Sequence, residues 1–218
     1  MFSNLTKSLK YFNAILASFL ILLGFCVMFN ITYPYFSFKM DIDFLLTKQS
    51  ILHIKTWRWA FYLHISSSLF VLLFGWLQFV KPLLIKYPKW HQSIGKIYIA
   101  LILFISAPSG LIMGFFANGG MAAKTSFIII SLLWWWFSFM AYNQIKNGRI
   151  TSHINYTVRS YALTLSALTL RLYVLTLPYF FILPAKQMYT LVAWASWIPN
   201  IILAEFLIKK KVFNWPKQ

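Results

Sequence analysis

The chain has 218 residues, of which 60% are hydrophobic, 20% aromatic and only 11% charged. A soluble domain carries about a quarter charged residues, so this composition excludes a chain that covers itself with a solvated surface. Twenty basic residues against three acidic ones give a net charge of +17, but the basic residues sit in short clusters between long apolar runs. That placement sets membrane topology and meets anionic lipid headgroups, and it excludes a nucleic-acid-binding reading.

A spanning helix needs about 20 mainly apolar residues. Six runs qualify, at residues 12–32, 57–80, 96–116, 125–143, 156–180 and 188–208. The first follows Lys7 and Lys10, as a signal peptide would. Its apolar core is too long for one, and NITYPYF follows it where a small-residue cleavage site would stand, so it is expected to remain as an anchor. It contains Cys26, the single cysteine, expected to be a small buried hydrophobe. With one cysteine the chain can form neither an internal disulfide nor a cysteine-based metal site.

After the first run, residues 33–56 form the longest connection, and DIDFLLTKQSIL within it is expected to make a short helix on the membrane surface. The second run, 57–80, carries His64, Ser68, Val71, Gly75 and Gln78 at spacings of four and three. They share one narrow seam, because His64 and Gln78 differ by only about 40° around a helix axis. Small residues at Ser68 and Gly75 allow another helix to come close. Lys81-Pro82 and Tyr87-Pro88 break the chain before the third run, which His91 precedes. Pro108 lies inside that run, where a kink is tolerable if neighbours satisfy the freed carbonyl. Gly119-Gly120 and Asn147-Gly148 bracket the fourth run.

The fifth run repeats the design of the second. His153, Thr157, Ser160, Thr164, Ala167 and Arg171 form a polar seam that ends in a charge. An arginine this deep costs a few kcal/mol or more and faces a partner or a watery cavity. His64 lies about 10 Å from the outer end of its helix and Arg171 about 13 Å from the outer end of its own, so the two are expected to approach. Glu205, the one acid inside a run, lies in the sixth span and pairs most simply with Arg159 or a nearby lysine. Asn200 follows Pro199 in the same run.

Thirteen of the twenty basic residues fall on one side of this arrangement, from Lys7 and Lys10 through the cluster around Lys81–Lys96 to Lys209–Lys211 and Lys217. Six fall on the other side: Lys39, Lys48, Lys55, Arg58, Lys124 and Lys186. The positive-inside rule then predicts both termini to be cytoplasmic. The expected architecture is an all-α integral membrane bundle of six transmembrane helices, with residues 1–218 as a single domain in a bacterial cytoplasmic membrane.

The blocks HISSSLFVLLFGWLQF, HQSIGKIY and HINYTVRSYALTLSALTLRLY resemble a bacterial family of multi-pass membrane proteins catalogued as domain of unknown function 2306. The resemblance runs from about Phe61 to Tyr173. It singles out His64, Gly75 and Gln78 in the first block, then His91, Gly95 and Tyr98. In the third block it singles out His153, Arg159, Ser160, Tyr161 and Arg171. Gln92 stands where the family pattern has arginine. The resemblance implies no established activity.

Three readings of these residues follow. In the first, the protein is a membrane redox protein. Neutral imidazoles in a helical bundle can ligate haem iron, and His91 and His153 are predicted at the same cytoplasmic level, where they can share a b-type haem. Arginines such as Arg159, with Tyr98 or Tyr161, then hold propionates or a quinone head. A quinone bound through His64, Gln78 and Arg171 needs no metal. In the second, the polar seams and the proline-broken spans line a path for a small solute or ion. In the third, the polar residues lock helices together or recruit a partner without catalysis. Nucleophile triads and glycine-rich phosphate loops are absent from the sequence, and His53, in the long connection, is expected to be solvated.

Overall fold

The computed structural model describes residues 2–213. Among them all regular structure is helical. Six helical spans are long and apolar enough to cross a membrane: Ala14–Ser37, Lys55–Leu77, Pro88–Phe115, Met121–Lys146, Ile150–Phe180 and Ala185–Lys209. Each of the six apolar runs becomes one span. The helices outrun the apolar stretches because backbone hydrogen bonding continues through the interfacial residues, as at Pro88, whose fixed φ and missing N–H suit the first turn. The elements in order are α1 (Phe2–Thr32), α2 (Asp43–Leu46), α3 (Lys55–Leu77), α4 (Lys81–Lys86), α5 (Pro88–Leu101), α6 (Ala107–Phe115), α7 (Met121–Lys146), α8 (Ile150–Thr164), α9 (Ser166–Phe180), α10 (Ala185–Ala195) and α11 (Ile198–Lys209).

Three spans are interrupted, each with a visible cause. A π-helical segment, Ile102–Ser106, joins α5 to α6 ahead of Pro108. Pro108 has no N–H to donate. The carbonyls of the loosened turn are satisfied instead by Ser109, whose hydroxyl donates to Ile105 O at 2.5 Å and Ser106 O at 3.1 Å. Between α10 and α11, ahead of Pro199, Ala193 O accepts from the Ser126 hydroxyl at 2.8 Å and the Ser196 hydroxyl at 3.0 Å. Between α8 and α9 the Ser166 hydroxyl takes Leu163 O at 2.5 Å, the local competition with the helical ladder that bends helices. In a medium without water every freed carbonyl needs such a partner.

Helix α7 packs against α6, α8 and α10, and α3 against α1, α5, α6 and α8. Their contact faces carry small residues that let backbones approach. Ser106, Ser126, Ser138 and Ser160 are fully buried, and each hydroxyl is hydrogen-bonded. Large apolar side chains such as Phe104, Ile202 and Phe206 point outward, as lipid-facing residues do. Helix α1 sits at the edge, with no residue of its most apolar 18-residue stretch buried. Cys26 is accordingly exposed, against the expectation of burial, because α1 turns only one face to the bundle.

The connections gather at two ends. At one end the first loop folds inward, and its helical segments are the 3-10 helix Tyr33–Ser37, the short helix Asp43–Leu46 and the 3-10 turn Gln49–Ile51. Tyr35 and Leu45 are buried against Trp57 and Phe61, so the loop caps the bundle. Lys48, expected on the outer surface with the other loop cations, is 3% exposed. Its ammonium donates to Phe116 O and Asn118 Oδ1, both at 2.6 Å. Burial, with Lys124 nearby, lowers its pKa to about 8. At the other end Phe79 meets Phe213 with ring centroids 5.3 Å apart. Of the basic residues expected beside the termini, Lys7, Lys10 and Lys217 fall where no side chain is described.

Candidate functional site

A cavity of about 260 Å³ opens behind the folded loop, between α1, α3, α6, α7 and α9. His64 and Arg171 both line it, from α3 and α9, so the two seams face one cavity. Its other polar residues include Lys48, Trp57, Ser68, Ser131, Trp134, Thr164 and Tyr189.

His64 is held in one orientation. Its Nδ1 lies 2.8 Å from Ser106 O in the π-helical segment. A carbonyl only accepts, so Nδ1 carries the proton and Nε2 is left with its lone pair. Nε2 has no hydrogen-bond partner among the described residues. Gly110 makes the slot: a Cβ there would stand 2.9 Å from His64 Cε1. The ring also meets Trp134 edge-on, centroids 6.5 Å apart. The backbone irregularity at Pro108 thus supplies the carbonyl that fixes the histidine.

Arg171 is partly buried on the opposite wall and has no hydrogen bond or ion pair among the described residues. Tyr189 is the neighbour that feels its charge. Two further polar groups of the cavity, on α3 beside His64 in sequence, are unsatisfied: the Trp57 indole N–H and the Ser68 hydroxyl are buried without a partner. Buried polar groups nearly always have one, so this wall is short of acceptors. Below the cavity a chain of hydroxyls leads inward. Trp134 Nε1 donates to Thr164 Oγ1 at 3.1 Å, Tyr98 OH lies 2.8 Å from Ser160 Oγ, and Ser160 Oγ lies 2.8 Å from Ser138 Oγ.

The remaining family residues gather on the far side of this floor. Gly75 is covered by the rings of Tyr98 and Tyr161, and Gly95 by the amide of Gln78. Tyr161 OH donates to Leu72 O at 3.3 Å. Tyr98 and Tyr161 are therefore engaged within the protein, and Gln78 is separated from the cavity that His64 and Arg171 share. Thr157, on the fifth-span seam, returns its hydroxyl to His153 O.

At that same end His153 Nδ1 donates to Ala141 O at 2.8 Å. His91 Nδ1 is buried without a partner, and the two imidazoles are near enough to interact electrostatically. No cluster of three or more metal-ligating side chains occurs among the described residues. Arg159 binds Glu205 through two hydrogen bonds, Nε to Oε1 at 2.5 Å and Nη2 to Oε2 at 2.9 Å, the pairing expected from the sequence. Its guanidinium also lies over the Tyr156 ring, 5.2 Å from the centroid. Asn200 donates to Thr169 Oγ1 at 2.9 Å. Gln92 and His53 are exposed.

Several residues of the cavity escape a reading of the sequence. Lys48 arrives from the first loop, far from either polar seam, and Trp57 stands two turns before His64 on the same face of α3, an aromatic residue that polarity alone does not single out. Gly110 has a local signal, the Pro108-Ser109-Gly110 run inside an apolar span, but its partner His64 is 46 residues away in the chain.

No curated protein and no solved structure matches the chain significantly. The family profile described as "Predicted membrane protein (DUF2306)" matches residues 61–208, from α3 to the end of the sixth span. With the three motif blocks placed on its facing helices, the chain belongs to that membrane-protein family.

Proposed function

We propose that the protein is a membrane redox protein that binds the ring of a lipid-soluble quinone in the cavity behind the first loop. The observation that carries this reading is that His64 and Arg171 line the same cavity, with an acceptor nitrogen at His64 Nε2 and unsatisfied donors at Trp57 and Ser68. A cavity of about 260 Å³ lies just under the range of roughly 300–1,000 Å³ typical of small-molecule pockets, a size suited to a single ring with its tail outside. Quinones supply two-electron redox chemistry coupled to protons. The chain's part is to hold one ring oxygen on Arg171 and to exchange a proton at His64 Nε2. Under this reading both termini are cytoplasmic, the cavity lies in the outer half of a bacterial inner membrane, and membrane lipid surrounds the bundle. The test is quinone extraction from protein purified in mild detergent, with difference absorbance before and after borohydride. Wild type and His53→Ala retain quinone, whereas His64→Ala and Arg171→Gln lose it. Equal retention in all four removes the reading.

One observation favours haem b as a second cofactor. His153 has its Nδ1 held by a backbone carbonyl, the second-shell arrangement that orients a ligating imidazole, and His91 beside it has an unpartnered buried nitrogen. A dithionite-reduced spectrum tests this. A b-type band abolished by His91→Ala or His153→Ala supports a shared iron, and a flat spectrum from haem-replete cells rules it out.

A further inference from the structure

The cavity has cations on its wall and no carboxylate. Lys48 and Arg171 line it. Of the three acids, Asp41 and Asp43 stay outside its lining and Glu205 is engaged with Arg159 at the other end. Lys48 is satisfied by Phe116 O and Asn118 Oδ1, but Arg171 has no counter-charge among the described residues. A charged arginine within a span is costly unless it is partnered, a cost that a bound anion offsets. The two unsatisfied groups that line the same cavity from α3, the Trp57 N–H and the Ser68 O–H, can both donate. Donors in excess of acceptors match a head made only of acceptor oxygens, and charge-assisted bonds from arginine to carboxylate or phosphate are the strong ones. On the α1 side the lining turns apolar, at Met28, Ile31 and Leu170, where an edge helix lies between the cavity and lipid.

We propose that the cavity also takes an acidic amphiphile, a carboxylate or phosphate monoester on an apolar tail. The head sits on Arg171 and the tail passes Met28 and Ile31 beneath α1. The proposal rests on the reading of this cavity as a ligand site and extends its range from a neutral ring to an anionic head competing for the same place.

The test uses the full chain in a neutral detergent, with radiolabelled laurate as probe. Dodecyl phosphate, dodecanol and a decyl-tailed benzoquinone are the competitors. Wild type retains laurate saturably through gel filtration, dodecyl phosphate and the quinone displace it, and dodecanol does not. Arg171→Gln weakens retention about tenfold or more, the loss expected of one charge-assisted contact. Ala167→Leu keeps the arginine but narrows the cavity, so it lowers retention as well and covers the case in which Arg171→Gln fails to fold. Stronger displacement by dodecyl phosphate than by unlabelled laurate assigns the head to lipid phosphate; the reverse order assigns it to fatty acid. Displacement by dodecanol equal to that by dodecyl phosphate overturns the anionic selectivity, as does undiminished retention by folded Arg171→Gln. If quinone still binds in those cases, the cavity reading survives alone. If neither acid nor quinone binds to folded wild type, both fall.

Discussion

Gly75→Ala tests whether the floor beneath the cavity is rigid. A Cβ at Gly75 would stand 2.5 and 2.6 Å from Tyr161 Cδ2 and Cε2 and 2.7 Å from Tyr98 Cε2. Both rings are buried, and both hydroxyls are held, Tyr98 by Ser160 at 2.8 Å and Tyr161 by Leu72 O at 3.3 Å. Neither ring can swing aside without giving up its hydrogen bond. Overpacking of this kind costs about 1–3 kcal/mol, and one loosened hydrogen bond adds about 0.5–1.5 kcal/mol. Alanine's better helix propensity returns about 1 kcal/mol, leaving a net loss of about 0.5–3.5 kcal/mol. Gly95→Ala is the matched comparison. Its Cβ would meet only Gln78 Oε1 at 2.8 Å, the end of a flexible side chain whose amide makes a long 3.4 Å bond to Phe74 O. That amide can move, so the propensity gain offsets most of the cost. Thermal unfolding of the detergent-purified proteins, followed by loss of monodisperse protein, should place Gly75→Ala several degrees below wild type and Gly95→Ala near it. A Gly75→Ala protein that melts at or above wild type, or below which Gly95→Ala falls, refutes the argument that the tyrosines are fixed.

Gly110→Ala should weaken quinone retention, because its Cβ would crowd the His64 ring from 2.9 Å while leaving every polar group in place; unchanged retention would mean the imidazole position is unimportant. Lys48 has a pKa lowered to about 8 from 10.5, so between these values the unfolded chain holds a proton that the folded chain has shed. Stability should therefore rise with pH across that window, and the rise should vanish in Lys48→Met; parallel pH profiles for the two proteins would contradict it. Glu205→Gln breaks the pair with Arg159, whose side chains are 22% and 49% exposed for Arg159 and Glu205 respectively. At that exposure the pair contributes about 1 kcal/mol or less, so a double-mutant cycle with Arg159→Gln should give a small coupling, and a coupling of several kcal/mol would show a drier site than this.

The six spans were legible because the requirement for them is local. Each needs an unbroken apolar stretch in its own residues, and the hydrocarbon thickness sets its length whatever its neighbours are. The interior facing of His64 and Arg171 was legible for the same reason, since period and polarity sort residues onto faces within one helix. The pairing of Arg159 with Glu205 could be read from the scarcity of acids: one acid inside a span leaves few choices. What lay beyond reach was each feature that joins distant segments. The first loop was expected on the surface, yet it folds in because Tyr35 and Leu45 find Trp57 and Phe61 to pack against. Cys26 was expected to be buried, yet it faces outward because hydropathy is nearly uniform around α1 and cannot tell bundle from lipid. Gln78 and His64 share a seam in the sequence but belong to different sites, because 14 residues of helix hold them about 21 Å apart along the axis, and Gly95 leaves room for the amide where Gly110 leaves room for the imidazole. The sequence by itself therefore determined the class, the spans and the polar seams, through constraints that each helix obeys alone. Only the tertiary structure decided which residues enclose a cavity and which merely pack, because that depends on where non-neighbouring helices leave space and on which buried donors they leave unsatisfied.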